Sequence, residues 1–149
     1  MFEIALFGTL RATDDGRELA VPGMLPRALL ARLALTPGEP LAADRLAADV
    51  WTTPPDSAAG AIRVYVARLR QHGFEQVLRG GRGGYALDVE PAAVDVLRAR
   101  ALLAEAEGAD DVRRFALLRE AEGLWTGEPF SGVTGAPALE AERIRLHAE

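Results

Sequence analysis

The stretch Ala58–His72 places its apolar and its charged residues on opposite sides of a helix. At about 100° per residue, Ile62, Val66 and Leu69 fall on one face, which predicts a helix packed on a core along that side. Ser57 stands just before the stretch and is a residue type that caps helix N-termini. The opposite face mixes arginines with small residues and has no acid, whereas an ordinary solvated helix face interleaves both signs of charge.

Strand patterns lie on both sides of this helix. Phe2, Ile4 and Leu6 alternate with other residues at period two, and Asp14-Asp15-Gly16 is typical of a hairpin turn. The elements predicted up to residue 90 are strands at 2–7, Leu10–Thr13 and Glu18–Val21, helices at Pro26–Leu35, Ala43–Trp51 and Ala58–His72, and a hairpin of Val77–Arg79 and Tyr85–Val89. This order, an antiparallel sheet, three helices and a C-terminal hairpin, predicts an α+β winged helix over residues 1–90. In a winged helix the third helix enters the major groove of DNA, and the hairpin, called the wing, lies on the DNA backbone.

Residues 91–149 have a different pattern and predict an all-α, TPR-like helical repeat. The predicted helices are Val94–Glu107, a helix from Asp110 to about Gly123, and Ala138–His147. The residues expected to face inward are, in the first helix, Val94, Leu97, Ala101 and Ala104, and, in the second, Phe115, Leu118, Ala121 and Leu124. Because two helices and a fragment bury little on their own, we expect this segment to pack on the winged helix, on a second copy or on a continuation.

Composition and charge narrow the classes of function. The net charge is −5, yet residues 60–85 contain five arginines and one acid, so positive charge is concentrated around the third helix and the hairpin.

With no cysteine, and with His72 and His147 far apart, we expect no metal site and no cofactor. Ser57 and Ser131 are the only serines, and no catalytic pair is evident, so an enzyme is not expected. No apolar run approaches the roughly 18 residues of a membrane span, and the start lacks a signal-peptide pattern, which favours a cytoplasmic protein.

Several stretches together resemble a known family. They are Arg27-Ala28-Leu29-Leu30-Ala31, Leu46-Ala47-Ala48-Asp49-Val50-Trp51, Tyr65-Val66-Ala67-Arg68-Leu69-Arg70, Gly83-Gly84-Tyr85-Ala86-Leu87-Asp88-Val89 and Leu124-Trp125-Thr126-Gly127-Glu128-Pro129. In order and spacing, residues 1–90 resemble the OmpR-type winged helix of the SARP regulators (Streptomyces antibiotic regulatory proteins). Residues 91–149 resemble the first part of the bacterial transcriptional activation domain that follows it in that family.

The resemblance implies a transcriptional activator of a biosynthetic gene cluster, such as one for an antibiotic. Such a regulator binds direct repeats upstream of a promoter on double-stranded DNA, with two copies expected one helical turn apart as a homodimer at least on DNA. It also engages RNA polymerase holoenzyme. The polymerase-contact loop of the family corresponds to Thr52, Thr53, Pro54, Pro55 and Asp56.

The candidate DNA-binding residues are Arg63, Val64, Tyr65, Ala67, Arg68, Arg70, Arg79 and Arg82. In this hypothesis Arg63 and Arg68 read base edges. Phosphates are held by Tyr65, Arg70 and Arg79, while Arg82 at the hairpin tip probes the flanking groove.

An alternative stays open at this point. A protein-interaction or ligand-sensing module of the same fold, which has lost DNA binding, would also fit the negative net charge. Leu25-Pro26, where the family usually has a basic and an amide residue before Arg27, favours the same alternative.

Overall fold

The N-terminal residues form a three-stranded antiparallel sheet in the computed structural model, which describes residues 1–81 and 83–149. The strands, in spatial order, are β1 (Phe2–Ala5), β2 (Arg11–Asp14) and β3 (Arg17–Leu19). Ile4 pairs with Ala12, and both side chains are buried. Asp15 and Gly16 have φ values of 51° and 83°, the left-handed conformation that a two-residue hairpin turn requires. The predicted hairpin turn is therefore confirmed.

Three helices and a second hairpin complete the winged helix, as predicted. The helices are α1 (Met24–Ala34), α2 (Ala43–Val50) and α3 (Ala58–Leu69), and the hairpin strands are β4 (Leu78–Gly81) and β5 (Gly84–Leu87). Leu29, Leu30 and Leu33 of α1 are fully buried and pack with Leu46 of α2 and Ile62 of α3. The apolar spacing of each helix thus points into one shared core.

The two ends of α3 differ from the expected ones. Ser57 stands at the N-cap position, but its side chain makes no capping hydrogen bond, because its φ and ψ of −93° and 27° lie outside the extended region that capping residues use. At the other end the regular helix stops at Leu69 rather than at His72. Gly73, with φ of 105°, reverses the chain there, and this reversal brings Phe74 into the core.

The C-terminal residues form three further helices, of which the first and the third pack on the winged helix. A short 3₁₀ turn at Pro91–Ala93 leads into α4 (Asp95–Glu107), followed by α5 (Asp111–Leu124) and α6 (Pro137–Ala148). One continuous core contains buried residues of the sheet, of the first three helices, and of α4 and α6. Of the three coverings expected for this segment, packing on the winged helix is the one that the structure shows.

Asp95 anchors this packing at the first turn of α4. Its carboxylate accepts hydrogen bonds from the backbone N–H groups of Leu6 at 2.7 Å and Phe7 at 3.1 Å. Burial raises the pKa of Asp95 above its usual value, although these N–H donors act in the opposite direction. The ring of Trp125, which follows α5, lies 4.7 Å from the ring of Phe7. Leu6 and Phe7, which directly follow β1, are therefore held by residues from two distant parts of the helical segment.

The inward face predicted for α4 was correct at its start, where Leu97 is partly buried against the core, and wrong further along. Val94 is buried as expected, but Ala101 and Ala104 are exposed, and Val96 and Ala99 are buried in their place. The hydrogen bonds of Asp95 to the sheet fix the rotation of the helix, so the neighbouring Val96 faces Phe7 rather than solvent. The spacing of apolar residues in α4 gives no indication of these hydrogen bonds.

The face predicted for α5 was partly wrong as well. Ala121 is buried and Leu124 is partly buried, but Phe115 is 65% exposed and Leu118 is 43% exposed. Leu117 takes the buried position instead. The prediction followed the three-residue spacing of Phe115, Leu118, Ala121 and Leu124, whereas α5 packs mainly against α4 and buries a stripe that contains Leu117 and Ala121.

A helix that spans a lipid bilayer must be both long and apolar. Among residues 1–81 and 83–149, none of the helices combines the length and the apolar content that a span needs.

Candidate nucleic-acid interface

The outer face of α3 is open to solvent along its whole length. Arg63, Val64, Ala67 and Arg68 are all exposed, with Val64 at 48%. The residues predicted to face inward, Ile62, Val66 and Leu69, are at most 1% exposed. The amphipathic prediction for this helix is therefore confirmed, and the helix presents a surface free to enter a groove.

Tyr65 lies between the two faces of α3 and supports one of the arginines. Its ring is half-buried, with its centroid 6.4 Å from the ring of Trp51. The guanidinium carbon of Arg68 lies 5.9 Å from the Tyr65 centroid, one helical turn further on. Such a cation–π contact contributes about 0.5–1 kcal/mol at an exposed site. Trp51 therefore supports Tyr65, and Tyr65 in turn restricts the orientation of Arg68.

The charge of the α3 surface is uncompensated. Within the described ranges, neither Arg63 nor Arg68 has a carboxylate oxygen within 4.0 Å. By contrast, Arg79 on the wing pairs with Asp88 at 2.6 Å. The guanidinium groups of Arg63 and Arg68 can therefore meet an external acceptor without first breaking an ion pair.

Arg70 connects the end of α3 to the wing. Its Nε donates to the carbonyl of Leu78 at 3.0 Å, and one of its terminal nitrogens donates to the carbonyl of Gly80 at 3.1 Å. The side chain is only partly exposed. The sequence hypothesis placed Arg70 near a phosphate and did not foresee these bonds, since a backbone carbonyl carries no signature in the residue types.

Two glycines give the wing its shape. Gly80 has φ of 121° and Gly84 has φ of 110°, values that other residues rarely adopt. A Cβ on Gly84 would lie 2.7 Å from the carbonyl carbon and oxygen of Leu41. Leu41 and Tyr85 exchange two backbone hydrogen bonds of 2.8 and 2.9 Å, so β5 lies directly against the start of the α2 region. This contact fixes the wing to the helical core.

The hairpin tip carries the remaining candidate. Arg82 lies outside the described residues, so its predicted role stays a prediction. The flanking residues Gly81 and Gly83 are both exposed.

The loop between α2 and α3 forms a separate exposed surface. All five of its residues, Thr52, Thr53, Pro54, Pro55 and Asp56, are exposed. The hydroxyl of Thr52 donates to the carbonyl of Gly135 at 3.1 Å, which joins the loop to the connection before α6. Sequence reasoning identified the loop but not this bond to the helical segment.

A metal site in a chain without cysteine would need several histidine or acidic side chains close together. Within residues 1–81 and 83–149, these side chains form no cluster able to hold a metal ion.

Comparison with known proteins agrees with this geometry. Residues 25–73 match the family model described as "Transcriptional regulatory protein, C terminal". The chain is 39% identical over 147 residues to the regulatory protein AfsR of Streptomyces coelicolor, an alignment that covers 95% of this chain. It is 30% identical over 119 residues to the regulatory protein DnrI of Streptomyces peucetius, covering 72% of this chain. Among solved structures, Mycobacterium tuberculosis EmbR, in a complex with a low-affinity phosphopeptide, superimposes with a TM-score of 0.82 at 25% identity over 99% of this chain.

The matched relatives are longer than this chain. The alignments span 15% of AfsR, 44% of DnrI and 42% of the EmbR chain. They include both the winged helix and the helices after it, which agrees with the fold described above. AfsR and DnrI are both described as regulatory proteins, the class that the sequence predicted for this chain. The chain belongs to the SARP family of DNA-binding transcriptional regulators, with an OmpR-type winged helix followed by part of the bacterial transcriptional activation domain.

Proposed function

We propose that this chain binds direct repeats upstream of a promoter and activates a biosynthetic gene cluster. The observation that carries the proposal is the outer face of α3, where Arg63 and Arg68 are exposed and lack carboxylate partners among the described residues. A helix with this surface, flanked by a wing, fits the major groove while the wing lies along the backbone. We place the boundary between the DNA-binding and activation domains at residues 90 and 91.

The candidate residues divide by what each can reach. Arg63 and Arg68 would read base edges, because a guanidinium can donate twice to the O6 and N7 atoms of guanine. Val64 and Ala67 would contact the apolar parts of bases, and Tyr65 would bind a phosphate while it supports Arg68. These assignments follow from the exposure of each side chain on α3.

The wing arginines would act at the edge of the interface. Arg79 would exchange its ion pair with Asp88 for a phosphate, and Arg82 would probe the flanking groove. For Arg70 the bonds to Leu78 and Gly80 favour a positioning role, in which the side chain sets the wing against α3.

The experiment for DNA binding is a titration of promoter fragments with direct repeats across a series of salt concentrations. A binder that neutralises several phosphates loses affinity steeply as salt rises. Arg68→Ala should weaken binding to the specific site by about 1–3 kcal/mol and relax its sequence preference. Arg113→Ala is the matched control, because Arg113 is an exposed arginine of the helical segment, paired with Glu105.

The same titration decides between the proposal and its alternative. A flat salt dependence, together with unchanged specific binding by Arg68→Ala, would contradict the proposal. If the protein also shifts no DNA at low salt and a protein partner is recovered with it, the interaction-module alternative is the better description.

We further propose that the loop 52–56 contacts RNA polymerase holoenzyme. Its five residues are exposed, and the bond from Thr52 to Gly135 braces it against the helical segment. Asp56→Arg should abolish stimulation of transcription in a reconstituted assay while changing DNA affinity by less than about twofold, because reversing one exposed charge leaves the fold intact. If stimulation of transcription and DNA affinity fell together, the loop would instead belong to the DNA interface.

Two copies would occupy the direct repeats. Adjacent half-sites about one helical turn apart place both recognition helices on the same side of the duplex. The stoichiometry on DNA with one or two repeats tests this arrangement, since two bound copies per pair of repeats are expected.

A further inference from the structure

The solvent-facing side of α5 carries an apolar patch that none of the described residues covers. Val112 is 84% exposed, Phe115 is 65% exposed and Leu118 is 43% exposed. Their spacing of three residues places them along one side of the helix, opposite the buried Leu117. A contiguous patch of large apolar residues on one face of a helix is typical of a site where another helix packs.

Two charged residues lie at the ends of this patch. Asp111 is fully exposed, and its nearest cation, Arg114, lies at 3.7 Å, a weak contact. The guanidinium carbon of Arg119 lies 5.8 Å from the ring centroid of Phe115. The order along the face is therefore acid, valine, phenylalanine, leucine and arginine, with an opposite charge at each end.

This order is self-complementary about Phe115. If a second α5 is laid antiparallel on the first with Phe115 opposite its own copy, Asp111 lies opposite Arg119 and Val112 lies opposite Leu118. The contact between the two copies of Phe115 occurs once, on the axis, and the other two contacts each occur twice, as in any isologous two-fold interface. The apolar residues then meet in the centre, and an ion pair closes each end.

We propose that the patch docks a second copy of this chain, with the two α5 helices antiparallel and Phe115 on the two-fold axis. This interface goes beyond the proposed DNA-binding function. Direct repeats relate adjacent copies by translation along the duplex, whereas the α5 contact relates them by a two-fold axis. The α5 contact therefore joins copies that are not neighbours on one pair of repeats, and it forms without DNA. A single helix pair of this size is a small interface, so the dimer is weak and transient.

A single engineered cysteine tests the geometry directly, because the chain has no cysteine of its own. Phe115→Cys should give a disulfide-linked dimer under mild oxidation, since the two residues 115 face each other across the axis. Ile144→Cys is the matched control, as Ile144 is 71% exposed on α6, away from the patch. Faster cross-linking of Phe115→Cys supports the proposal, and equal rates for the two variants would overturn it.

Reversed charges test the register. Asp111→Arg and Arg119→Asp each place like charges opposite one another at both ends, so each variant alone should dimerise about tenfold more weakly than the unchanged chain. An equimolar mixture of the two variants restores both ion pairs and should recover the dimer, as measured by sedimentation at about 100 µM, a concentration suited to a weak interface. Circular dichroism of each variant checks that it is folded.

Two results would contradict the proposal. A monomer at every concentration, with no recovery in the mixture, would show that the patch does not dock a second copy. Dimerisation of either charge variant as strong as that of the unchanged chain would show that the pairing register is wrong. DNA binding measured on the same variants is expected to stay unchanged, so failure here is distinguishable from failure of the proposed function.

Discussion

Arg70 donates a hydrogen bond from its Nε to the backbone carbonyl of Leu78 at 3.0 Å and so ties the end of α3 to the first strand of the wing. A second donation to Gly80 makes the contact two-pronged. A guanidinium can satisfy two carbonyls at once because its donors form a rigid fork. Together with the Leu41–Tyr85 backbone bonds, this side chain therefore sets the angle between the helix and the wing, the two elements proposed to touch DNA.

Replacing Arg70 separates a positioning role from a phosphate contact. We expect Arg70→Ala to lower DNA affinity by about tenfold, because the wing loses its attachment to the end of α3, while the slope of log affinity against log salt stays unchanged. Arg70→Lys should recover little, since an ammonium group lacks the fork. A salt slope reduced by about one would show instead that Arg70 neutralises a phosphate, as the sequence hypothesis had it.

Gly84 is a position where the backbone excludes any side chain. We expect Gly84→Ala to destabilise the fold by about 3 kcal/mol, because the residue has φ of 110° and an added Cβ would lie 2.7 Å from the backbone of Leu41. Chemical denaturation measures the change. Gly83→Ala is the control, as a Cβ added there would have no other atom within 4 Å, and its effect should stay within about 0.5 kcal/mol. Equal stability of the two variants would contradict the steric argument.

The elements of the winged helix were predictable because apolar periodicity reports directly on burial. Ile62, Val66 and Leu69 could be placed on the inner face of α3 from spacing alone, and they are buried. The exposed arginine surface followed from the same geometry. These predictions needed no knowledge of distant residues.

The prediction for the inward face of α4 failed where it depended on contacts with a distant part of the chain. The rotation of α4 is set by Asp95, whose partners are backbone N–H groups some ninety residues earlier in the sequence. The predicted DNA role of Arg70 stays a prediction, and its observed partners are also backbone carbonyls, those of Leu78 and Gly80. Since every residue except proline has both backbone groups, residue types alone do not mark such partners.

The ionised carboxylate of Glu142 makes the stability of the protein decrease at acid pH. The carboxylate, on α6, is 8% exposed and pairs with Arg100 of α4 and with Arg145. Burial raises its pKa, but the bonds to Arg145 and Arg100 outweigh burial, and the net pKa lies below 4.5. A lowered pKa in the folded state means that the stabilisation is present above pH 4.5 and is lost as pH falls through the folded-state pKa.

We therefore expect Glu142→Gln to lower the free energy of unfolding by about 2 kcal/mol at neutral pH, because the variant leaves Arg100 without its buried partner. The difference from the unchanged chain should shrink below pH 4.5. Urea denaturation across a pH series measures both effects. Glu120→Gln, which removes an exposed pair with Arg98, is the control and should cost less than about 1 kcal/mol. A difference that is constant with pH would contradict the role of the ionised carboxylate.

Asp95 connects the helical segment to the sheet, and its removal tests how strongly the two depend on each other. Asp95→Ala leaves the N–H groups of Leu6 and Phe7 without their acceptor, and we expect a loss of about 3 kcal/mol in the free energy of unfolding. Asp95→Asn keeps one acceptor oxygen and should lose less. Asp111→Ala is the matched control, since Asp111 is also the first residue of its helix but is fully exposed.

Hydrogen exchange at Leu6 and Phe7 should rise in Asp95→Ala alone, because both amides then open to water. If these amides stay as protected as in the unchanged chain, the carboxylate does not hold the sheet to α4.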